Sequence, residues 1–168
     1  MSFVLDLPRL GKLTPEEVTA RWNAYREYIH SIRERLGPGA FAYVTSEFHS
    51  DHSSRMSPHD GWVEFVEIRE SGSGERGAQR TIRVMIDLLG SYHDGRIRFT
   101  YPEVHSYLMN TPHDFEGPPL RAGHGDWLID EVGLSENGLV VHEILFSRGA
   151  RWRIESSDLH YEWLPFER

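Results

Sequence analysis

The second half of the chain contains two similar stretches, and this internal repeat restricts the possible folds more than any other feature. His59-Asp60-Gly61-Trp62 precedes one apolar run, and His124-Gly125-Asp126-Trp127 precedes another. Each run is followed by an apolar strand, a glycine-containing turn and an Arg-x-Arg strand. A repeated supersecondary unit is a strong indicator of architecture, because each copy must bury its apolar face against a neighbour. The predicted copies span residues 59–107 and 124–163.

The predicted strands have one apolar and one polar face. In residues 81–88, for example, isoleucine, valine or leucine occupies every second position. Such alternation is typical of an antiparallel sheet with one solvated face. Asp94-Gly95 and Asn137-Gly138 favour tight hairpin turns, which join neighbouring strands directly. The predicted strands cover residues 40–48, 62–70, 79–89, 96–109, 127–134, 139–146, 150–155 and 158–164.

A long helix precedes the strands and is predicted over residues 15–36. Thr14 and Pro15 have the types preferred at a helix start, and Glu17 completes a capping box with Thr14. Apolar residues then recur at alternating spacings of four and three, and Gly37-Pro38-Gly39 ends the pattern. This apolar stripe predicts a helix packed across a sheet.

These elements together predict the α+β class. No helical pattern separates the strands, which disfavours a parallel βαβ fold. We therefore expect one long N-terminal helix packed on a mainly antiparallel sheet that is curled or folded into two layers. At 168 residues the chain is expected to form a single domain, residues 1–168.

Composition excludes several classes of protein. Lys and Arg number 18 and Asp and Glu 26, which gives a net charge of −8 at pH 7. An acidic chain repels nucleic acid unless its cations are segregated, so we expect no nucleic-acid partner. No apolar run approaches the ~18 residues that a membrane span needs, and the N-terminus lacks the features of a signal peptide. The chain has no cysteine, which excludes disulfides and is compatible with the cytoplasmic location that we predict.

The sharpest local motif is Glu47-Phe-His49-Ser-Asp51-His52, at the end of the predicted strand 40–48. It resembles the His-x-His-x-Asp-His motif of the metallo-β-lactamase superfamily, with Glu47 in place of the first histidine. Imidazoles and carboxylates that converge at a strand end suit zinc, so the resemblance implies a zinc site at Glu47, His49, Asp51 and His52. The likeness stops at this motif, because the further ligands and parallel crossovers of that family are not found. A polar loop with exposed histidines is the other interpretation.

Histidine–aspartate pairs precede both repeated tryptophans, and a long connection joins the two repeats. Such a pair can orient an imidazole as a base or a metal ligand, but both residue types also suit turns, with Trp62 and Trp127 as core anchors. The connection, residues 110–126, exceeds the length of about 12–15 residues beyond which loops are usually functional or disordered. We predict an ordered surface feature there. The candidate binding residues are Trp62, His113, Phe115, His124 and Trp127.

Two further patterns place charged or titratable groups within strands. His142 interrupts an apolar strand, and with Asp130 or Glu131 across the hairpin it forms the best candidate acid/base pair. A hydrogen-bonded core histidine is the alternative interpretation. The Arg-x-Arg strands would form an anion-binding stripe if unpaired, but carboxylates on other strands favour a salt-bridge lattice. Neither a glycine-rich phosphate loop nor a Gly-x-Ser-x-Gly elbow is present.

These features favour a small, soluble, acidic binding module without enzymatic activity that docks on another protein. Immunity proteins and small inhibitors share this profile, which is an analogy of composition alone. The alternative is a metal-dependent hydrolase or metal-binding protein that uses Glu47, His49, Asp51 and His52. A third hypothesis is a small-molecule site enclosed by the two Trp-initiated hairpins. An exposed aromatic patch indicates the first, histidines and carboxylates converging in a cleft the second, and an enclosed apolar pocket the third.

Overall fold

Two four-stranded sheets and three helices make up the regular structure of the described residues. The computed structural model describes residues 2–7, 13–111 and 123–167. The helices are α1 (Pro15–Ser31), α2 (Pro38–Val44) and α3 (Glu47–Ser50). The strands are β1 (Trp62–Ser71), β2 (Thr81–Leu89), β3 (Gly95–Tyr101), β4 (Ser106–Met109), β5 (Trp127–Leu134), β6 (Val140–Phe146), β7 (Arg151–Ser156) and β8 (His160–Pro165). The predicted α+β class, with antiparallel sheets and a helix near the N-terminus, is confirmed.

Each sheet combines three consecutive strands with one strand from the other half of the chain. The first sheet has the order β1-β2-β3-β8, and the second has the order β4-β7-β6-β5. Every pairing between described strands is antiparallel. β4 therefore leaves the three strands that precede it and completes the second sheet, while β8 completes the first. Neither sheet forms from a continuous segment, so the two halves of the chain depend on each other.

Short turns join the strands at both predicted hairpins. The β2–β3 turn covers residues 90–94, with a left-handed φ of 55° at His93, so Gly95 is already the first residue of β3, whereas Asn137-Gly138 lies between β5 and β6. Gly138 has a φ of 78°, a conformation that glycine adopts without steric strain. The sequence prediction of these two connections is therefore correct.

The predicted strand over residues 96–109 is instead two strands in different sheets. β3 ends at Tyr101, directly before Pro102, whose nitrogen carries no hydrogen for a sheet hydrogen bond. Glu103 has a φ of 44°, a left-handed conformation that turns the chain. The chain then enters the second sheet, where β4 pairs with β7.

The segment over residues 38–50 is helical, so the prediction of a strand over residues 40–48 is wrong. α2 begins with Pro38, at a position where proline has no hydrogen bond to lose. The carboxylate of Asp158 accepts hydrogen bonds from the amides of Gly39 (3.1 Å) and Ala40 (2.9 Å). It thereby satisfies donors that the first turn of a helix leaves unpaired. Asp158 is 119 residues from Gly39, so the local sequence pattern cannot reveal this cap.

Glycine at positions 37 and 39 allows α2 to approach Asp158 closely. A Cβ atom on Gly37 would overlap with the carboxylate of Asp158, and one on Gly39 would overlap with the carbonyl oxygen of Leu159. The sequence Gly37-Pro38-Gly39 therefore does more than end the first helical pattern, because it also begins α2 against the strand that follows Asp158.

α1 begins as predicted but ends five residues earlier, at Ser31 rather than residue 36. The side chains of Thr14 and Glu17 form the predicted capping box, in which each accepts a hydrogen bond from the other's amide. At the other end, the Ser31 hydroxyl donates to the carbonyl oxygen of Tyr28 at 2.7 Å, an interaction that competes with helix continuation. No helix in the described part of the chain is long and apolar enough to cross a membrane.

The core brings the two sheets and the helices together. A cluster of buried apolar side chains includes residues of α1, α2 and both sheets. Phe99 of β3 stacks on Trp127 of β5 with ring centroids 5.1 Å apart, and Tyr43 of α2 packs edge-on against Phe99 at 5.2 Å. These contacts place aromatic rings from three elements around the centre of the molecule.

The cap on α2 can be tested by substitution of Asp158. We expect Asp158→Ala to lower the free energy of unfolding by about 1–2 kcal/mol, because two helix amides lose their acceptor. Asp158→Asn retains an acceptor oxygen of the same size and should lower the free energy of unfolding by less than Asp158→Ala does. Urea unfolding followed by circular dichroism measures both. Equal losses for the two variants would contradict the capping role.

Candidate functional site

The carboxylate of Asp130, in β5, is buried and is surrounded by four hydrogen-bonding side chains. Its Oδ1 accepts the indole N–H of Trp127 at 2.9 Å. Its Oδ2 accepts the hydroxyl of Tyr43 at 3.0 Å and lies 3.2 Å from Nε2 of His49 and 3.0 Å from Nε2 of His142. These partners belong to α2, α3, β5 and β6, so one carboxylate joins two helices to the second sheet.

The surroundings of Asp130 favour its ionised form. Burial by itself would raise the pKa of Asp130, but the nearby charge of His49 and the hydrogen bonds from His142 and His49 hold this pKa well below its ordinary value. Burial and the negative charge of Asp130 together raise the pKa of Tyr43 and of Tyr101 well above the ordinary tyrosine value. The carboxyl group is therefore an acceptor at neutral pH, and both tyrosine hydroxyls keep their protons.

His142 extends this network to the first sheet. Its Nδ1 lies 2.8 Å from the hydroxyl of Tyr101 in β3, while its Nε2 faces Asp130. Tyr101 and Asp130 therefore hold the two ring nitrogens of His142 from opposite sides. The predicted pairing of His142 with Asp130 is confirmed. Both side chains are buried, which favours the alternative interpretation of His142 as a hydrogen-bonded core histidine.

Glu131, the other predicted partner of His142, points to the opposite face of β5. Its Oε2 accepts hydrogen bonds from the amides of Phe3 (2.9 Å), Val4 (2.9 Å) and Leu5 (3.1 Å). Adjacent residues of a strand point to opposite faces. The Asp130-Glu131 pair therefore holds the inter-sheet core with one carboxylate and the N-terminal segment with the other.

The four residues of the predicted zinc site do not surround a common point. Glu47 and His49 lie in α3, where residues two apart face different directions, whereas a strand would have placed them on one face. Asp51 is exposed and accepts hydrogen bonds from the amide and hydroxyl of Ser53. Among the described residues, no three His, Cys, Asp or Glu side chains are grouped so that they could hold a metal ion. The helical geometry thus gives the zinc prediction no support.

His52, the last residue of that motif, stacks on another histidine. The ring centroids of His52 and His59 are 4.1 Å apart and the rings are nearly parallel. Burial, followed by the neighbouring His59, lowers the pKa of His52 below its ordinary value. His59 in turn bonds through Nδ1 to the carbonyl oxygen of Leu128 at 2.7 Å. This histidine pair joins the segment after α3 to the start of β5.

The two repeated tryptophans have opposite environments. Trp127 is fully buried against Phe99 and Asp130, whereas Trp62 is 45% exposed. The prediction of two core anchors is therefore correct for Trp127 and wrong for Trp62. Backbone hydrogen bonds link the two motifs, since the Trp127 amide donates to the carbonyl of Gly61 at 2.7 Å and the Asp60 amide donates to the carbonyl of Trp127 at 2.9 Å.

The other three predicted binding residues, His113, Phe115 and His124, belong to the connection over residues 110–126. His124 packs edge-on against Trp152, with ring centroids 4.8 Å apart. His113 and Phe115 lie outside the described residues. The described residues therefore bring Trp62 and Trp127 close through their backbones but do not form an enclosed apolar pocket beneath both rings.

The arginines of the Arg-x-Arg strands are paired with carboxylates. The pairs are Arg96–Glu64, Arg98–Asp87, Arg151–Asp6 and Arg153–Glu155. The contact between Arg98 and Asp87 is bidentate, with both N–O distances 2.7 Å. The predicted salt-bridge lattice is confirmed, and these four guanidinium groups are neutralised rather than available as an anion-binding stripe.

The outer edge of β5 is covered by α1. The hydroxyl of Tyr25 accepts a hydrogen bond from the amide of Val132 at 2.8 Å and donates to its carbonyl oxygen at 3.1 Å. The hydroxyl of Tyr28 accepts from the amide of Leu134 at 3.2 Å. Two tyrosines of one helix thus satisfy backbone groups that an edge strand would otherwise present to another chain.

The outer edge of β1 has no such cover in the described part of the chain. Gly61, just before β1, pairs with Trp127, but from residue 63 to residue 71 the described backbone bonds only to β2. We call residues 63–71 the β1 edge. β1 is ten residues long, whereas β4, at an edge of the second sheet, has four. The β1 edge therefore offers the longer row of uncovered backbone donors and acceptors.

Large apolar side chains flank this edge. Trp62, Phe65 and Ile68 are 45%, 47% and 45% exposed. Phe65 and Ile68 are three residues apart, so they point to opposite faces of β1, Phe65 beside Asp87 and Ile68 beside Val84. Apolar surface is therefore present on both faces of the strand. Phe65 and Ile68 were missed as candidate residues, although the sequence contains a signal. Apolar residues at 62, 63, 65, 66 and 68 do not alternate strictly, which indicates that both faces of the strand carry them.

No protein-family model matches this chain, and comparison with curated proteins and with solved structures gives no match.

The buried carboxylate is tested by Asp130→Asn. We expect this variant to lower the free energy of unfolding by about 3–5 kcal/mol, because an amide nitrogen replaces an acceptor oxygen among four donors and the buried charge is lost. Glu136→Gln, in the exposed β5–β6 turn, is the matched control and should leave the free energy of unfolding unchanged. Urea unfolding at neutral pH measures both.

The difference in unfolding free energy between the wild type and Asp130→Asn should depend on pH. The pKa of Asp130 is depressed in the folded state, so its stabilisation is complete above the unfolded-state pKa, about 3.9, and is lost as the pH falls below it. The difference in unfolding free energy between wild type and Asp130→Asn should therefore shrink by up to about 1.4 kcal/mol per pH unit in that range. A difference that stays constant as the pH is lowered to about 3 would show that the fold does not depress the pKa of this carboxyl group.

The cover on β5 is tested by Tyr25→Phe. This change removes both hydrogen bonds to Val132 and should lower the free energy of unfolding by about 2 kcal/mol. Hydrogen exchange of the Val132 amide should become faster, since its acceptor is gone. Tyr28→Phe removes a single, longer hydrogen bond and should have a smaller effect, confined to the Leu134 amide. Unchanged exchange at Val132 in Tyr25→Phe would contradict the role of the hydroxyl.

Proposed function

We propose that the protein is a non-enzymatic binding module, of the immunity or inhibitor kind, which docks on another protein by adding a partner strand to the β1 edge. The observation that carries this proposal is the contrast between two edges of the fold. Tyrosine hydroxyls satisfy the backbone of β5, while the backbone of the longer β1 faces outward without a described partner. An uncovered edge is a template for an added strand, which gains main-chain hydrogen bonds.

The side chains of β1 support the same interaction. Trp62, Phe65 and Ile68 project from both faces of the strand and are each nearly half exposed. A strand added beside β1 would bury these side chains further against its own side chains, at roughly 25 cal/mol for each Å² of apolar surface removed from water. Tryptophan and other aromatic residues also dominate the binding energy of many protein interfaces.

Charge favours a basic partner over a second copy of this chain. The chain has a net charge of −8, so two copies repel each other over any shared contact. A cationic protein is instead attracted, and its encounter rate rises at low ionic strength. Carboxylates on and beside β1, such as Glu64 and Glu67, already pair with arginines, so the attraction comes from the whole molecule rather than from one ion pair.

The hydrolase alternative has weaker support. It requires Glu47, His49, Asp51 and His52 to act together on one metal ion, but Nε2 of His49 is directed at Asp130 and the ring of His52 lies on His59. The two histidines are therefore engaged with different partners. We do not propose a zinc site on these residues.

We also propose that the two halves of the chain are copies of one unit that exchange their last strands. Each unit would contain three consecutive antiparallel strands and a fourth that completes the other sheet, which agrees with the two strand orders. The first strand pair of each unit also has an irregular register soon after its tryptophan, at residues 63–65 in one and 127–129 in the other. In this arrangement β1 and β5 are equivalent strands, and α1 covers only β5.

The docking proposal is tested with random peptides of ten residues, the length of β1, displayed on phage and selected against the immobilised protein. We expect selected peptides to combine β-branched or aromatic residues with lysine and arginine, and to bind more weakly as salt increases. Addition of a synthetic selected peptide should shift the amide resonances of the β1 edge in nuclear magnetic resonance spectra.

A double variant distinguishes this edge from other exposed apolar surface. Phe65→Lys combined with Ile68→Lys should weaken binding by at least about tenfold, because charge replaces the apolar contacts of the edge. Leu108→Lys on β4, where the leucine is 61% exposed, is the control and should keep full affinity. Circular dichroism verifies that both variants fold. Failure to select any peptide, or equal binding by wild type and double variant, would refute docking at β1.

A further inference from the structure

A groove between α1 and the α2–α3 segment has a volume of about 220 Å³. Trp22 and Ile29 of α1 and Val44 of α2 form an apolar part of its lining, and Thr45, Ser46, His49 and Ser50 are among the polar residues that line the rest. The α1 residues that line it are 22, 25, 26, 29 and 30, which share one face of the helix because they recur at the helical period. The volume suits a ligand smaller than the drug-sized molecules that occupy about 300–1,000 Å³.

Two opposite charges without ion-pair partners lie on this groove. Arg26 of α1 and Glu47 of α3 both line it, and neither makes an ion pair with any described residue, including each other. The guanidinium of Arg26 contacts only neutral oxygens, the side-chain oxygen of Asn23 at 3.1 Å and the hydroxyl of Ser50 at 3.4 Å. Most arginines on the strands, by contrast, are paired with carboxylates. The groove thus combines an apolar wall with one cation and one anion that remain available.

We propose that this groove binds a free α-amino acid with a large apolar side chain. The carboxylate of the amino acid pairs with Arg26, its ammonium group pairs with Glu47, and its side chain packs against Trp22, Ile29 and Val44. Charge complementarity selects this class of ligand. A simple carboxylate would leave Glu47 facing an anion, and a simple amine would leave Arg26 facing a cation, whereas a zwitterion satisfies both groups.

His49 gives the groove a fixed and polar lining. Its Nε2 faces Asp130, while Nδ1 makes no hydrogen bond to another described residue. Because Asp130 and the surrounding rings hold this imidazole in place, the ligand does not have to order it on binding. The site is independent of the β1 edge, so it does not rest on the proposed docking function.

Isothermal titration calorimetry with three related compounds tests this site. The compounds are L-phenylalanine, 3-phenylpropanoate, which lacks the ammonium group, and 2-phenylethylamine, which lacks the carboxylate. We expect L-phenylalanine to bind at least about tenfold more tightly than either analogue, because each analogue loses one charged hydrogen-bonding pair. If 3-phenylpropanoate binds as tightly as L-phenylalanine, the groove recognises carboxylates and the amino-acid assignment is wrong. If 2-phenylethylamine does so, the groove recognises amines and the assignment is equally wrong.

Matched variants show whether the binding occurs in this groove. Arg26→Gln and Glu47→Gln should each weaken L-phenylalanine binding by about tenfold. Arg35→Gln and Glu27→Gln change exposed residues that do not line the groove, and both should bind as wild type does. In the wild-type protein, L-phenylalanine should also shift the imidazole resonances of His49. Absence of binding by wild type, or equal binding by all four variants, would overturn the proposal.

Discussion

The interactions of one buried carboxylate, that of Asp130, hold this fold together. Burial of a charge is costly unless donors surround it, and here Tyr43, His49, Trp127 and His142 do so. Through His142 the network reaches Tyr101 in the other sheet. Two helices and both sheets are therefore linked through the hydrogen bonds of a single buried group.

The positions of the helices determine which surfaces of the protein are closed and which are open. α1 uses its tyrosines to satisfy the backbone of β5, and the face that also carries Trp22 and Arg26 borders a groove against α3. β1 receives no such helix among the described residues. The helices are therefore placed asymmetrically on two sheets of similar topology. This placement leaves β1 as an edge strand with exposed aromatic residues, and it forms the groove that carries two available charges.

Much of the candidate site was beyond sequence-based prediction because its partners are distant in the chain. His49 and Asp130 are 81 residues apart, and Gly39 and Asp158 are 119 apart. The pairing of His142 with Asp130 was predictable, because a short hairpin joins their strands. The zinc prediction placed its four residues at the end of a strand over residues 40–48, but Glu47 and His49 lie in α3 instead.

The sequence by itself determined the α+β class, most of the strands, the tight turns and the start of α1. Alternation, turn dipeptides and capping residues act over a few residues, so they can be read locally. Only the tertiary structure decided that residues 38–50 are helical and that two similar tryptophan motifs have opposite burial. It also decided that β4 completes the second sheet and β8 the first. Trp127 lies between the sheets and Trp62 at an open edge, because burial depends on which distant elements pack against a strand, and helices cover only one of the two.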